Sequence, residues 1–310
     1  MFGFYNYNKP GKGVEQRDPN QPRTSLFFEL FFRKLWDLCK VNMLYVLLIL
    51  PTFIITMIIV GVLSSRLTDI VAPIFAQIMG LGAVDMSNVQ FVTSLVWFDL
   101  GARAVIAVLF VIFLGAGPAT AGITYVLRNY AREEHAWLWS DTWRNLKSNF
   151  KQAALLWILD LGVFFVMVIA FNFYLNYGNL GLVALGVLLF VTVLYLMMHI
   201  YVYQIMITFV LPFRNVLKTS VIMALMTAPK TLLMLIILAA VHIGLPVLLI
   251  TFGKSVGGLI IFILLEVLVL PAASAFMTNF FIYNTVEKYI KQALEQFGTE
   301  DTEKNIEKEV

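Results

Sequence analysis

Long apolar runs alternate with shorter polar segments along most of this chain, and their lengths predict helices that cross a lipid bilayer. A helix needs about 20 apolar residues to span the hydrocarbon core. Continuous runs of this length favour helices over barrel strands, in which apolar and polar residues alternate over about 10 positions. We expect six spans, at residues 41–63, 105–127, 153–175, 182–203, 232–250 and 257–280.

The positions of Lys and Arg predict the orientation of these spans. An even number of spans places both termini on one side of the membrane. All but three of the 22 Lys and Arg residues then fall on that side, the exceptions being Arg66, Arg103 and Lys254. Because cytoplasmic loops carry an excess of basic residues, both termini are predicted to be cytoplasmic. The predicted fold class is all-α: a polytopic membrane bundle of six transmembrane helices plus interfacial amphipathic helices.

The composition supports a membrane protein and excludes other classes. Hydrophobic residues occupy 60% of the 310 positions and charged residues only 13%, against about 25% charged residues in a typical soluble domain. The net charge of +3 is too small to indicate nucleic-acid binding, and the one cysteine, Cys39, cannot form an internal disulfide. Residues 1–24 are polar and lack the apolar core of a signal peptide. We therefore expect the first span to be an uncleaved anchor.

Three segments outside the spans have the pattern of amphipathic helices in the membrane interface. In residues 25–40, Glu29, Arg33, Asp37 and Lys40 form a polar stripe opposite a face rich in Phe and Leu. The loop 128–152 and residues 213–227 show a similar division. Each helix either covers and orients the bundle or docks another membrane protein, and the contact candidates are Trp139, Trp143, Arg144, Phe150 and Arg214.

These features divide the chain into four parts. A polar N-terminal segment, 1–24, precedes the interfacial helix 25–40, the six-helix domain 41–289 and a charged cytoplasmic tail, 290–310. The domain contains a large extracellular loop, 64–101. A loop of this length is typically functional, and it either lies on the bilayer surface, enters it as a re-entrant hairpin, or contacts an extracellular partner.

Four ionisable residues fall inside the predicted spans, where such groups are functional candidates. They are Asp160, His199, His242 and Glu266. One interpretation is a path for protons or ions. The other is that each side chain bonds to a hydroxyl group or a backbone carbonyl of a neighbouring helix.

Small residues and prolines cluster in the second and sixth spans. Small side chains allow membrane helices to approach closely, and a proline removes a helix hydrogen bond and bends its span. These residues are candidates for helix packing or partner contact, or they line a cavity as the broken helices of transporters do. They are Gly115, Gly117, Pro118, Ala119, Thr120, Ala121, Gly122, Pro271, Ala272 and Ser274.

No motif for an enzyme or a cofactor is recognisable. Three His, one Cys and the absence of an HExxH motif give no metal-ligand set. The segment Gly253-Lys254-Ser255 resembles the end of a phosphate-binding loop, but Leu248 stands where the first glycine is needed. We expect no catalytic residue, no cofactor, no metal and no hydrolysis of ATP by this chain.

One stretch resembles a known family. Residues 117–153 read GPATAGITYVLRNYAREEHAWLWSDTWRNLKSNFKQA. The Gly-Pro-Ala-Thr-Ala stretch, the acidic pair and the aromatic and basic residues that follow resemble the YesL-like family of bacterial integral membrane proteins (domain of unknown function 624). The resemblance covers roughly residues 26–232 and, more loosely, span six. It carries over no catalytic residue.

The resemblance implies a function by association only. Members of this family are often found with binding-protein-dependent sugar importers of Gram-positive bacteria. We therefore expect a non-enzymatic accessory or scaffold subunit of a carbohydrate ABC importer in the bacterial cell membrane. It would bind the permease subunits and, through them, the ATPase and the substrate-binding protein. The alternative is an autonomous small-solute or ion transporter or channel that uses the intramembrane acidic and His residues.

Overall fold

The computed structural model describes residues 21–63, 76, 89–175, 177–253 and 256–297. Within these ranges the chain forms α-helices and one π-helix, without a strand. The helices are α1 (Arg23–Leu63), α2 (Val89–Leu114), α3 (Pro118–Ala131), α4 (Leu138–Ser148), α5 (Phe150–Leu175), α6 (Gly178–Thr208), α7 (Phe213–Met226), α8 (Ala228–Ala239), the π-helix (Ala240–Gly244), α9 (Leu245–Gly253), α10 (Val256–Leu268) and α11 (Leu270–Phe297).

The predicted all-α membrane fold is confirmed, with five or six candidate spans. Five helical stretches are long and apolar enough to cross a bilayer: Arg23–Ile59, Gln90–Leu114, Phe150–Leu175, Gly178–Thr208 and Ala228–Leu249. A sixth candidate is the pair Ile260–Leu268 and Leu270–Tyr289, which is bent by 52° at its break. The bent pair corresponds to the predicted sixth span.

The predicted boundary between an interfacial helix, 25–40, and the first span is absent, because both belong to the continuous helix α1. The charges along its first half satisfy one another on the helix surface. Glu29 lies 3.6 Å from Arg33, and Asp37 lies 3.6 Å from Lys34 and 3.2 Å from Lys40. Pairs at this spacing are compatible with one continuous helix.

The predicted second span, 105–127, is wrong in both of its boundaries. Helix α2 begins at Val89 and ends at Leu114, so residues 89–101 are helical although they were predicted as part of the outer loop. The Asp99 carboxylate lies 2.6 Å from the Arg103 guanidinium one turn later, and this ion pair allows the helix to continue through two charged residues. The rest of the predicted loop, apart from position 76, lies outside the described residues.

The short helices α4 and α7 occupy the two predicted amphipathic segments between spans. The last helix, α11, continues to Phe297, beyond the predicted start of the tail at residue 290. Residues 1–20 and 298–310, which contain most of the predicted polar N-terminal segment and the end of the tail, lie outside the described residues.

Helix α3 is the most enclosed element near the predicted small-residue cluster. It packs with α1 and α11 through a core that includes Phe27, Leu30, Phe276 and Phe280. It also lies so close to α4 that a Cβ atom on Gly122 would come within 2.6 Å of the Thr142 carbonyl oxygen. Most of its 14 residues are buried as a result.

Candidate functional site

A cavity of about 120 Å³ lies between α1, α2, α3, α6, α8, the π-helix and α11. We call it the interhelical cavity. Regular α-helix is interrupted at three places next to it: between α2 and α3, at the π-helix, and between α10 and α11. Its polar lining residues are Tyr45, Thr120, Thr124, His199, Tyr203, Gln204, His242, Ser274, Thr278 and Asn279.

The junction of α2 and α3 depends on two glycines and on a tyrosine from α6. Gly115 and Gly117 have φ angles of 89° and 59°, in the region that disfavours L side chains. A Cβ atom on Gly115 would also lie 2.6 Å from the Tyr203 hydroxyl. That hydroxyl donates to the Leu114 carbonyl oxygen and accepts from the Gly117 N–H, both at 3.2 Å. Tyr203 therefore satisfies backbone groups that the broken helix leaves free.

An asparagine from α1 has the same role at the junction of α10 and α11. The Asn42 side-chain NH₂ donates to the carbonyl oxygens of Glu266 at 2.9 Å and Val267 at 2.8 Å. Its side-chain oxygen accepts from the Ala272 N–H at 2.8 Å. The neighbouring Pro271 has no N–H to donate. Asn42 is fully buried, so it supplies hydrogen bonds where water and the helix do not.

The third interruption is the π-helix Ala240–Gly244, which contains His242. Single-turn π-helices within α-helices are rare and frequently lie at functional sites. Here the wider turn places a histidine on the cavity wall.

His242 joins Glu266 and Ser274 in one hydrogen-bonded group. Its Nδ1 atom lies 2.7 Å from the Glu266 Oε1 atom, and its Nε2 atom lies 2.9 Å from the Ser274 hydroxyl. The His242 side chain is fully buried and that of Glu266 is 12% exposed. The second carboxylate oxygen, Oε2, is buried and has no hydrogen-bond partner.

Asp160 and His199 form a second pair. The His199 Nε2 atom lies 2.9 Å from the Asp160 Oδ1 atom, and the side chains are 1% and 0% exposed. The Tyr195 hydroxyl donates to the same carboxylate oxygen at 2.6 Å. The His199–Asp160 contact is close enough for an ion pair but lacks the alignment of a hydrogen bond, so both His199 ring nitrogens and Asp160 Oδ2 remain without a hydrogen-bond partner.

All four predicted intramembrane ionisable residues are thus paired across helices. Asp160 of α5 meets His199 of α6, and His242 of the π-helix meets Glu266 of α10. Both histidines are among the residues that line the interhelical cavity, and their side chains are 1% and 0% exposed. Asp160 also accepts a bond from the Tyr195 hydroxyl, and His242 bonds to the Ser274 hydroxyl. These two contacts fit the interpretation of bonds to neighbouring helices, and the path for protons or ions stays a prediction.

The predicted small residues lie at two of the three interruptions. Gly115 and Gly117 form the first junction, and Pro118, Ala119, Thr120, Ala121 and Gly122 begin α3. The Thr120 hydroxyl oxygen accepts from the Ala116 N–H at 2.7 Å and lies 2.9 Å from the Tyr45 hydroxyl. Pro271, Ala272 and Ser274 begin α11 beside the second junction.

The predicted interface residues lie apart from the cavity. Trp139 and Trp143 of α4 are exposed and their rings are parallel, with centroids 6.3 Å apart. The buried residues of this helix are polar: Asp141, Thr142 and Asn145. Arg144 bonds to Asp141 at 2.9 Å, Phe150 is exposed at the start of α5, and Arg214 is exposed near the start of α7.

Several residues of the site escaped sequence analysis because they are uncharged. Asn42, Tyr45, Tyr195, Tyr203, Gln204 and Asn279 all make side-chain bonds at or beside the cavity. A polar amide in the middle of an apolar run, as at Asn42, was the available signal. In the described part of the chain, no group of three or more His, Cys, Asp and Glu side chains is arranged to hold a metal ion.

Comparison with known families supplies one match. Residues 91–173 match the family described as "Protein of unknown function, DUF624". This match confirms the resemblance to the YesL-like family, which is a family of membrane proteins. The matched segment runs from α2 through α5 and contains the Gly115–Gly117 junction and Asp160. No curated protein and no solved structure matches the chain.

Proposed function

We propose that this chain is a non-enzymatic transporter or channel that moves a small solute or ion through the interhelical cavity. The observation that carries this proposal is that the histidine of each histidine–carboxylate pair belongs to the lining of one cavity, beside three helix interruptions. Ionisable groups within membranes are costly, and they mark substrate, ion or proton pathways. Non-helical backbone at membrane depth is tolerated where it lines a cavity.

The proposal includes six spans with both termini in the cytoplasm of a bacterial cell. The bent pair α10–α11 then counts as the sixth span, and the cationic N-terminal half of α1 lies on the same side as α4 and α7. The distribution of Lys and Arg supports this orientation.

Water access to the cavity tests the proposal. In a Cys39→Ser background, Thr278→Cys places a thiol on the cavity wall, and Ile236→Cys places one on an apolar surface of α8 that is 56% exposed and faces lipid in this proposal. Only a thiolate reacts readily, so a charged, membrane-impermeant thiol reagent requires a water-filled path. We expect Thr278→Cys to react in intact membrane vesicles and Ile236→Cys to remain unreactive. Equal labelling of both variants would contradict a solute path through this cavity.

An accessory role in a carbohydrate importer is the second candidate. The observation that favours it is on α4, where Asp141, Thr142 and Asn145 are buried while Trp139 and Trp143 are exposed. A permease helix could cover this aromatic surface. Purification from native membranes in mild detergent should then recover permease and ATPase chains, and Trp143→Ala should release them. Recovery of this chain alone would contradict the accessory role.

A further inference from the structure

We propose that a groove between α1 and α2 binds a phospholipid, with an acyl chain along the groove and the phosphate at the Arg103 guanidinium. We call it the α1–α2 groove. Its volume is about 450 Å³, within the range of about 300–1,000 Å³ that ligand sites occupy. Its lining residues in the described part of the chain are Ile54, Met57, Ile58, Gly61, Leu100 and Arg103. None of them lines the interhelical cavity, so the proposal does not depend on transport through that cavity.

The wall of the groove on α1 is one apolar face of the helix. Its residues, at the i, i+3, i+4 and i+7 spacing of a single face, are Ile54, Met57, Ile58 and Gly61. Ile54 and Ile58 are 53% and 61% exposed, and Leu100 of α2 is 42% exposed. Both helices are candidate membrane spans, so these side chains face lipid. At 1.5 Å per residue, the wall is about 10 Å long.

Arg103 places a cation at one end of this wall. A Cβ atom on Gly61 would lie 2.9 Å from the Arg103 Nη1 atom, and Gly61 lies in the last turn of α1. The predicted first span also ends at residue 63. The guanidinium is therefore near the end of the span, where the headgroup region borders the hydrocarbon core, and Ile54 lies about two turns deeper. An amphiphile has the same division between its phosphate and its chain.

The guanidinium has donors available for a phosphate. It carries five N–H groups, and its partner in the described ranges is the Asp99 carboxylate, 2.6 Å from the Nη2 atom. The Nε atom is buried without a hydrogen-bond partner, whereas the Nη1 atom, which also has none, is not fully buried. The whole side chain is 22% exposed. Because Arg binds phosphate oxygens through several N–H groups at once, a phosphate beside Nη1 would use donors that the protein leaves unpaired.

A phospholipid matches both parts of the site. A wholly apolar occupant, such as a helix from another chain, would cover the apolar wall and leave the Arg103 donors unpaired. A free anion would bond to Arg103 and leave the wall uncovered. Since the Asp99 carboxylate balances the charge of Arg103, recognition depends on hydrogen bonds to the phosphate more than on the net charge of the lipid.

Native mass spectrometry of the purified full chain in detergent tests the ligand. After lipid removal, added dioleoyl phosphatidylglycerol should give a retained adduct, whereas dioleoylglycerol, with the same chains but no phosphate, should not. Glycerol 3-phosphate, with the phosphate but no chain, should not displace the lipid. Equal retention of the two dioleoyl lipids would overturn the role of Arg103. Displacement by glycerol 3-phosphate would overturn the role of the groove.

Two tryptophan variants of α1 locate the acyl chain. Ile58→Trp fills the groove. Ile55→Trp adds the same ring at a position that is 43% exposed and outside the groove lining. The adduct should be lost in the first variant and kept in the second. Retention by Ile58→Trp would place the lipid elsewhere, and conversion of a dimer to a monomer by this variant would assign the groove to a second copy of the chain.

Two variants of the ion pair separate phosphate binding from a structural role. Arg103→Gln and Asp99→Asn both break the pair, but only the first removes the guanidinium donors. Loss of charge-assisted hydrogen bonds should weaken phosphatidylglycerol binding by roughly tenfold or more in Arg103→Gln. Asp99→Asn should bind at least as tightly as the wild type, because its guanidinium is no longer shared with a carboxylate. Equal weakening in both variants would show that the pair only shapes the groove. If Arg103→Gln does not fold, weaker binding by Asp99→Asn would overturn the proposal.

Discussion

Asn42 offers the sharpest test of how the junction of α10 and α11 is held. Its amide is the partner of three backbone groups at the junction of α10 and α11: the carbonyl oxygens of Glu266 and Val267 and the N–H of Ala272. The side chain is fully buried. In Asn42→Ala all three groups lose their partner in surroundings from which water is excluded.

The expected loss of stability follows from these three bonds. A hydrogen bond contributes a net of about 1 kcal/mol in proteins, and side-chain hydrogen bonds within membrane proteins average about 0.6 kcal/mol. Three bonds therefore give a loss of roughly 2–3 kcal/mol in the free energy of unfolding. Asn42→Leu fills the space without restoring a bond, so it should lose a similar amount.

Unfolding by sodium dodecyl sulfate in mixed micelles, followed by tryptophan fluorescence, measures this loss. Met43→Ala is the control, because the adjacent side chain is 60% exposed on the outer surface of α1. If Asn42→Ala and Met43→Ala unfold with the same free energy, the junction does not depend on Asn42. If Asn42→Leu restores stability, the packing volume matters and the hydrogen bonds do not.

Two further predictions concern glycines. Gly115→Ala should lower the free energy of unfolding by roughly 2 kcal/mol, because an L residue at positive φ is strained and its Cβ atom would meet the Tyr203 ring. Gly162→Ala, with nothing within 4 Å of a new Cβ atom, should not reduce stability; an equal loss in both variants would refute this reasoning. Gly122→Ala should push α4 away from α3, since a Cβ atom there lies 2.6 Å from the Thr142 carbonyl oxygen. Tryptic cleavage at Lys147, followed by mass spectrometry, should then be faster than in a Gly186→Ala control, and equal rates would show that the close approach is dispensable.

The sequence was sufficient for the fold class but not for the interruptions. Hydrophobic run length predicts an all-helical membrane protein because the bilayer sets the length of each span. Run length does not detect the helix break at Gly115, because the apolar run continues through it. The break depends on a positive φ angle and on Tyr203, 88 positions away, and hydropathy contains neither.

The candidate site, like the fold, could be predicted only in part from the sequence. Asp160, His199, His242 and Glu266 could be found by looking for charge within apolar runs. Their pairing could not, because each partner lies on a different helix and helical spacing informs only about neighbours on the same helix. The extra length of α2 was readable in principle, since Asp99 and Arg103 are four positions apart and of opposite charge.

The π-helix determines how the chain would respond to the deletion of one residue. A π-helical turn contains one residue more than the α-helical turn it replaces, whereas each residue inserted into a regular α-helix rotates everything after it by about 100°. The π-helical turn at Ala240–Gly244 accommodates the additional residue without this rotation. Deleting one residue here should convert the π-helical turn to an α-helical turn, so that α9 keeps its orientation about the helix axis. The change would instead alter the position of His242.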